Sequence, residues 1–169
     1  MNETEIEEHP FKFFAPENAT ILIIGSFPGK EQTLNPSVNW FYTTKRNQFW
    51  SIIEAVYNKE LDTIEKKKQL FKDAGIAVTD IFLKVYRRNK SNLDNNLKII
   101  EDNKSIIETL LQERNFKDIL FTSKFVEHHF KKLFPQITNI NCLPSPSPRY
   151  TRLSKSDKIK SYKEKLPLL

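Results

Sequence analysis

The run Ala19 to Ile24 (ATILII) is short, apolar and rich in β-branched residues, and Gly25-Ser26-Phe27-Pro28-Gly29 follows it at once. A run of that length and composition reads as a strand buried on both faces, as strands of parallel sheets are. Ligands of open α/β sheets bind at the carboxyl ends of such strands. The chain has only three glycines, and two of them bracket this pentapeptide. Gly25 and Gly29 are therefore expected where φ is positive or where backbone must closely approach another group. The loop Gly25 to Lys30 is the first place to look for chemistry.

Further along, strand and helix patterns alternate. Phe49, Ile52, Ile53, Val56 and Tyr57 have helical spacing. A second short helix is predicted from Leu61 to Lys72, stopping near Gly75. Ile76 to Phe82 (IAVTDIF) reads as strand two, and Arg87 to Asn96 as a polar loop. Ile106, Ile107, Leu110 and Leu111 mark another helix. Asp118 to Thr122 is strand three, with a helix from Ser123 to Phe134; Ile137 to Leu143 is strand four, with a last helix from Ser154 to Lys165. This alternation predicts an α/β fold with a parallel sheet covered on both faces. The strand ends at Gly25, Asp80 and Leu143 then carry the important loops.

A chain of 169 residues fits one domain spanning 1–169, with an acidic, flexible stretch at 1–8. The lone Cys142 excludes a disulfide framework, a cysteine-only zinc site and a four-cysteine iron–sulfur cluster. The lack of a leader or a long apolar run predicts a soluble cytoplasmic protein. Charge is uneven. Residues 1–8 hold four Glu and no Lys or Arg, so the net rises from +6 for the chain to +10 for the remainder. Seven Lys or Arg lie between Arg149 and Lys165, against Asp157 and Glu164. Such a basic patch is the footprint of a nucleic-acid binder, although a solvated Lys-rich helix gives the same count.

Several chemistries are excluded. Gly25 to Lys30 is no P-loop: three residues, not four, separate its glycines, and Glu31 follows the lysine. His128 and His129 sit about 100° apart on a helix and share no face. His9 has no obvious partner in the sequence. No nucleophile elbow and no Ser-His-Asp set is present. Three segments remain: the Gly25 loop, the aromatic and amide-rich stretch Asn39 to Trp50, and Leu143-Pro144-Ser145-Pro146-Ser147-Pro148-Arg149. Three prolines in five residues stiffen that last loop, and its serines offer hydroxyl and N–H groups to phosphates. Phe49 and Trp50 also fit a helix core, the better reading for Trp50. Tyr42 precedes the helix and has no helical reason to be buried.

Gly-Ser-Phe-Pro-Gly, then aromatic-Tyr, then Arg-Asn-x-Phe-Trp, then Leu-Pro-Ser-x-Ser-Pro resembles the uracil-DNA glycosylase superfamily. The hypoxanthine-DNA glycosylase branch is most similar. Gly75 to Ile81 and Ser91-Asn92-Leu93-Asp94 add to the resemblance, which spans Ile21 to about Lys165. It implies a three-layer α/β/α sandwich around a four-stranded parallel sheet, with a flipped base held above the strand ends.

By resemblance, Gly25, Ser26, Phe27, Pro28 and Gly29 line the base pocket with Phe49. Tyr42 is the ring that stacks on the base, and Asn47 is the catalytic amide. Lys30, Arg46, Ser145, Pro146, Ser147, Arg149 and Arg152 are assigned to DNA. Many superfamily members carry a water-activating Asp or Asn where this chain has Phe27, the most active uracil enzymes have His at Leu143, and His-Pro often stands at Thr44-Lys45. The implied activity is slow, monofunctional excision of hypoxanthine or uracil from DNA, by a monomer with no cofactor or metal. Two alternatives stand beside it: a nucleic-acid-binding protein that keeps the fold without catalysis, and a lyase using Lys30 or Lys45 as a Schiff-base amine.

Overall fold

The computed structural model describes residues 5–88 and 91–169. In chain order the elements are β1 (Ile6–Glu8), β2 (Phe13–Phe14), β3 (Ile21–Gly25), α1 (Lys30–Leu34), α2 (Phe49–Tyr57), α3 (Ile64–Ala74), β4 (Ile76–Asp80), β5 (Phe82–Arg87), β6 (Leu97–Asp102), α4 (Lys104–Glu113), β7 (Asp118–Phe121), α5 (Lys124–Leu133), β8 (Ile140–Cys142) and α6 (Lys155–Lys165). The main sheet has the order β2-β4-β3-β7-β8. Its last four strands run parallel, and β2 joins antiparallel at the edge of β4.

Period-two alternation along β3 explains the three layers. Ile21 and Ile23 face one core, with Phe49, Ile52 and Ile53 of α2, Leu70 and Phe71 of α3, and Tyr162 of α6. Leu22 and Ile24 face the other, with Ile107 and Leu110 of α4 and Val126 and Phe130 of α5. Leu22, Ile23 and Ile24 are fully buried. Each contributes roughly 1.5–3 kcal/mol by leaving water.

Helix ends follow the sequence signals. Thr63, Ser123 and Ser154 each accept a backbone N–H from three residues on, opening α3, α5 and α6. Gly75 closes α3 with φ 70°, the left-handed cap that glycine adopts without strain.

The differences from the sequence reading are local. The predicted strand Ile76 to Phe82 breaks at Ile81, where the backbone N–H turns to the Gly25 carbonyl at 2.8 Å. The chain resumes as β5, which pairs with β1 and β6 in a second, antiparallel sheet of three strands. The expected loop Arg87 to Asn96 therefore begins on a strand and ends in a 3-10 turn at Asp94–Asn96. Strand β6 escaped notice because its burial pattern is mostly exposed. The acidic stretch 1–8 also needs correcting: Ile6–Glu8 is a strand, and Glu7 is buried. Residues 1–4 lie outside the described residues.

Candidate active site

The carboxyl ends of β3, β4, β7 and β8 open into one cleft of about 790 Å³. The order β4-β3-β7 reverses the direction in which the chain adds strands at β3, the switch point where α/β sheets bind ligands. Ser26 to Gly29 come from the end of β3, Asp80 from β4, Thr122 from β7 and Ser145 to Arg149 from beyond β8. The segments around Tyr42 to Asn47 and Ser91 to Asp94 complete the walls.

Close approach, not positive φ, explains the two loop glycines. Gly29 has φ −65°, and the only positive-φ glycine among the described residues is Gly75. A Cβ on Gly25 would lie 2.5 Å from both Asp80 Oδ1 and the Tyr42 hydroxyl. One on Gly29 would lie 2.6 Å from Thr44 Cγ2. Any larger residue at Gly25 would push the carboxylate and the phenol away from the strand end.

Tyr42 is the strained residue of the site. Its φ of 61° is costly for a side chain with a Cβ. Its ring stacks on Phe49 with centroids 4.1 Å apart and planes at 26°. Its hydroxyl is buried without a hydrogen-bond partner, Thr122 being its nearest side-chain candidate. Burial first, and the Asp80 charge second, push its pKa well above the usual phenol value. Phe49 is fully buried and does not line the cleft, so it backs Tyr42 and is corrected from base contact to core. Trp50 is core as expected, its indole N–H bonded to the Phe41 carbonyl at 2.7 Å.

Asn47 lines the cleft just before α2. Its Oδ1 accepts the Phe49 N–H at 2.9 Å, which satisfies the first backbone donor of α2 from a position ahead of the N-cap residue Gln48. Phe27 turns into the cleft wall with its ring edge-on to His9, at 5.6 Å between centroids, and the Arg87 guanidinium 5.9 Å from its centre. His9, which looked partnerless in the sequence, hydrogen-bonds Asp80 Oδ2 at 2.7 Å.

Arg87 fastens the loops together. It bonds Glu7 through Nε at 3.0 Å, the Pro28 carbonyl at 2.8 Å, the Ser91 carbonyl at 3.2 Å and Asn92 Oδ1 at 3.3 Å. Burial would raise the Glu7 carboxyl. Hydrogen bonds from Arg87 and Thr33, with the charges of Arg87 and Lys30, outweigh burial and hold it below its usual value. Lys30 lies 3.7 Å from Glu7 and outside the cleft lining, so it belongs to this cluster rather than to a free DNA-facing rim. Asp94 Oδ1 accepts the Ser26 hydroxyl at 2.6 Å. Burial lifts the Asp94 carboxyl above its usual range; the Ser26 bond opposes this, and the Asp80 charge adds to it.

On the opposite rim the proline-serine loop is braced from behind. The Gln48 N–H donates to the Pro146 carbonyl at 2.9 Å, and the Tyr162 hydroxyl to the Pro144 carbonyl at 2.8 Å. Lys158 Nζ donates to the Ser147 carbonyl at 3.1 Å and to Gln48 Oε1 at 3.0 Å. Burial lowers its pKa. Arg46 and Arg149 line the cleft and are exposed; Arg152 is exposed but lies outside the lining. Neither Arg149 nor Arg152 forms a salt bridge among the described residues, and Asp157 instead meets Ser154.

The sequence reading named no role for Asp80, Asp94, Thr122 or His9. In the sequence Asp80 is visible only as a strand end, and Asp94 only as part of a motif. His9 carries no local signal, because its partner is 71 residues away. Among the described residues no helix is long and apolar enough to cross a membrane, and no three His, Cys, Asp or Glu side chains gather as metal ligands.

The family model of the uracil DNA glycosylase superfamily matches residues 11–167. A solution structure named as a candidate uracil DNA glycosylase, from Methanosarcina acetivorans, superposes with a TM-score of 0.73 at 23% identity, covering 95% of this chain and 98% of that one. That likeness establishes the shared fold. No curated protein matches the sequence.

Proposed function

The chain belongs to the uracil DNA glycosylase superfamily, and from that premise we propose that it is a monofunctional DNA glycosylase excising a deaminated base, hypoxanthine or uracil. The observation that carries this reading is the cleft itself. One wall is Ser26 to Gly29 and the other the proline-serine loop, with Asn47 also in the lining and Gly25 just behind it.

Breaking an N-glycosidic bond passes through a sugar with oxocarbenium character. The base must first be extruded, at a cost of roughly a few kcal/mol that is smallest at a mismatch. Tyr42, held rigid against Phe49, is the surface on which the extruded base rests. One lone pair of Asn47 Oδ1 serves the helix; the other is free to hold a water. An amide does not titrate, so Asn47 orients that water without deprotonating it fully. Asp94 Oδ2 makes no hydrogen bond among the described residues and gives the same cleft a second open acceptor. With no strong base in this set, the expected chemistry is slow.

The test is a panel of labelled oligonucleotides carrying uracil, hypoxanthine, xanthine or thymine, single- and double-stranded. Release of an abasic site from at least one deaminated substrate, lost in Asn47→Ala, is the expected result. Binding without release from any substrate would favour the catalytically inactive reading.

A further inference from the structure

The proline-serine loop is anchored through its carbonyls. Pro144, Pro146 and Pro148 have no N–H to give. The N–H groups of Ser147 and Arg149 turn back to the hydroxyls of Ser145 and Ser147, at 3.3 and 3.2 Å. Donors must therefore reach the loop from outside, and three of them stand in a row on α6. Lys165 Nζ donates to the Cys142 carbonyl at 3.0 Å, the Tyr162 hydroxyl to the Pro144 carbonyl at 2.8 Å, and Lys158 Nζ to the Ser147 carbonyl at 3.1 Å. Positions 158, 162 and 165 share one face of a helix, so α6 grips the segment from the end of β8 to the cleft rim as one strip. Lys158 differs from the other two. It is 1% exposed, and it also donates to Gln48 Oε1 at 3.0 Å. Gln48 in turn donates its backbone N–H to the Pro146 carbonyl at 2.9 Å and opens α2 directly after Asn47. Both acceptors of the buried ammonium are neutral, and a buried cation of that kind is costly unless those bonds are kept.

Resting on the glycosylase reading above, we propose that Lys158 is a positioning residue for base release: it fixes the proline-serine loop at a set distance from the Asn47 amide. Its side chain bonds both the loop and the residue that follows Asn47. A phosphate backbone seated on the loop and a water held by Asn47 meet at the same sugar only while that distance holds. A displacement of about 1 Å at a reacting centre costs roughly 10²-fold in rate. Lys158 acts from beneath the surface, so it is no phosphate contact, unlike exposed Arg149. The positive charge of α6 is thus divided: Lys158 faces inward to hold the loop, and Lys155, Lys160 and Lys163 face solvent.

The test is Lys158→Met, which keeps an unbranched stem and removes the ammonium, with Lys165→Met as the matched control. Lys165→Met loses a bond of the same kind to the same strip, but none to Gln48. Single-turnover release by the full chain is followed across enzyme concentrations on a deaminated duplex that wild type cleaves, and binding to the undamaged duplex is followed across salt. Lys158→Met should lower the maximal rate by about tenfold or more, while the half-saturating concentration stays within about threefold. Its salt slope should equal that of wild type, because no phosphate contact is lost. Lys165→Met should keep the maximal rate within about threefold of wild type. Gln48→Met breaks the same link from the other end and should slow release likewise. The double variant should be no more than about twofold slower than the slower single one, as members of one network are.

A wild-type maximal rate in Lys158→Met overturns the assignment and leaves the glycosylase reading intact. Equal losses in Lys158→Met and Lys165→Met also overturn it, because general support of the loop then explains both. A flattened salt slope in Lys158→Met overturns it by making the lysine a phosphate contact. If Lys158→Met does not fold, Gln48→Met decides, and release at the wild-type rate there overturns the assignment. Wild type that releases no base from any substrate overturns both readings together.

Discussion

The two rims of the cleft treat charge in opposite ways. On the Gly25 side the charges are buried and paired: Glu7, Arg87 and Asp80 are each at most 7% exposed, and each has a charged or imidazole partner. On the proline-serine side Arg149 and Arg152 are exposed and make no ion pair among the described residues, and buried Lys158 meets only neutral acceptors. A buried, paired charge fixes geometry, because separating it from its partner leaves an uncompensated ion. An exposed, unpaired cation contributes little to folding and remains available to a polyanion. The first rim shapes the pocket, and the second leaves its arginines open to solvent.

The sharpest way to break that contrast is to remove the centre of the paired rim. Arg87→Ala strips Glu7 of its main partner and frees the Pro28 and Ser91 carbonyls. The expected loss is about 3–5 kcal/mol, read from urea unfolding at neutral pH. An apolar double replacement, Glu7→Leu with Arg87→Met, should cost markedly less than either single change. The same pair gives a pH signature. The Glu7 carboxyl lies below its ordinary value of 4.5 in the folded protein. Its stabilising contribution is therefore complete above that value and is lost as pH falls through the lowered one. Glu7→Gln should flatten this acid limb of the stability curve, and a limb of unchanged depth would remove Glu7 from the account.

Asn47 stands between the rims, lining the cleft and holding the Phe49 N–H. Asn47→Ala should reduce single-turnover base release by more than about tenfold, or 1.4 kcal/mol in barrier. It should also lower stability by about 0.5–1.5 kcal/mol, because its Oδ1 accepts the first N–H of α2. Asn47→Asp keeps that acceptor, so its stability should stay near wild type while the activity difference remains to be read. Unaltered release in Asn47→Ala would show that the amide serves only the start of the helix.

How much of this was legible in the chain depends on distance along it. The parallel core, its strand order of appearance and the helix ends at Ser123, Ser154 and Gly75 follow from periodicity and local signals, whereas α3 opens at Thr63 rather than at the expected Leu61. The Gly25 loop and the proline-serine loop could be located because strand ends are local signals. Asn47 and Tyr42 could be named only through the motif resemblance. The paired rim was invisible: Glu7 and Arg87 are 80 residues apart, and His9 and Asp80 71. Nothing in the composition of residues 1–8 distinguishes a buried glutamate from a solvated one. Strand β6 was missed for a related reason: its exposed face carries Lys98 and the acids Glu101 and Asp102.

The open rim is tested by salt. Each phosphate neutralised on duplex DNA adds roughly −0.9 to the slope of log affinity against log salt. Replacing Arg149 and Arg152 together should flatten that slope by about 1–2 units and weaken binding uniformly across sequences. Folding stability should move by less than about 0.5 kcal/mol, since neither side chain is paired. Arg149 lines the cleft and Arg152 does not, so Arg149→Ala alone should carry the larger share. A slope that stays at the wild-type value in the double variant would place the DNA on another face.

The smallest expected effect is also the most diagnostic of how tightly the pocket is built. Tyr42 combines a left-handed backbone, a ring stacked on Phe49 and a buried hydroxyl with no partner. Removing a hydroxyl that makes no hydrogen bond relieves a desolvation cost, so Tyr42→Phe should leave stability unchanged or raise it by up to about 1 kcal/mol. Stacking on the base depends on the ring, which Phe retains, so base release should change by less than about threefold. Tyr42→Ala removes the ring and uncovers Phe49, and should lower both stability and affinity for an abasic product duplex, the latter by about 1–3 kcal/mol. A Tyr42→Phe protein that is clearly less stable would mean that the hydroxyl is bonded in solution, with Thr122 the nearest candidate. A Tyr42→Phe protein that folds normally yet loses base release would move Tyr42 from a stacking platform to a hydrogen-bond donor beside Asp80 Oδ1.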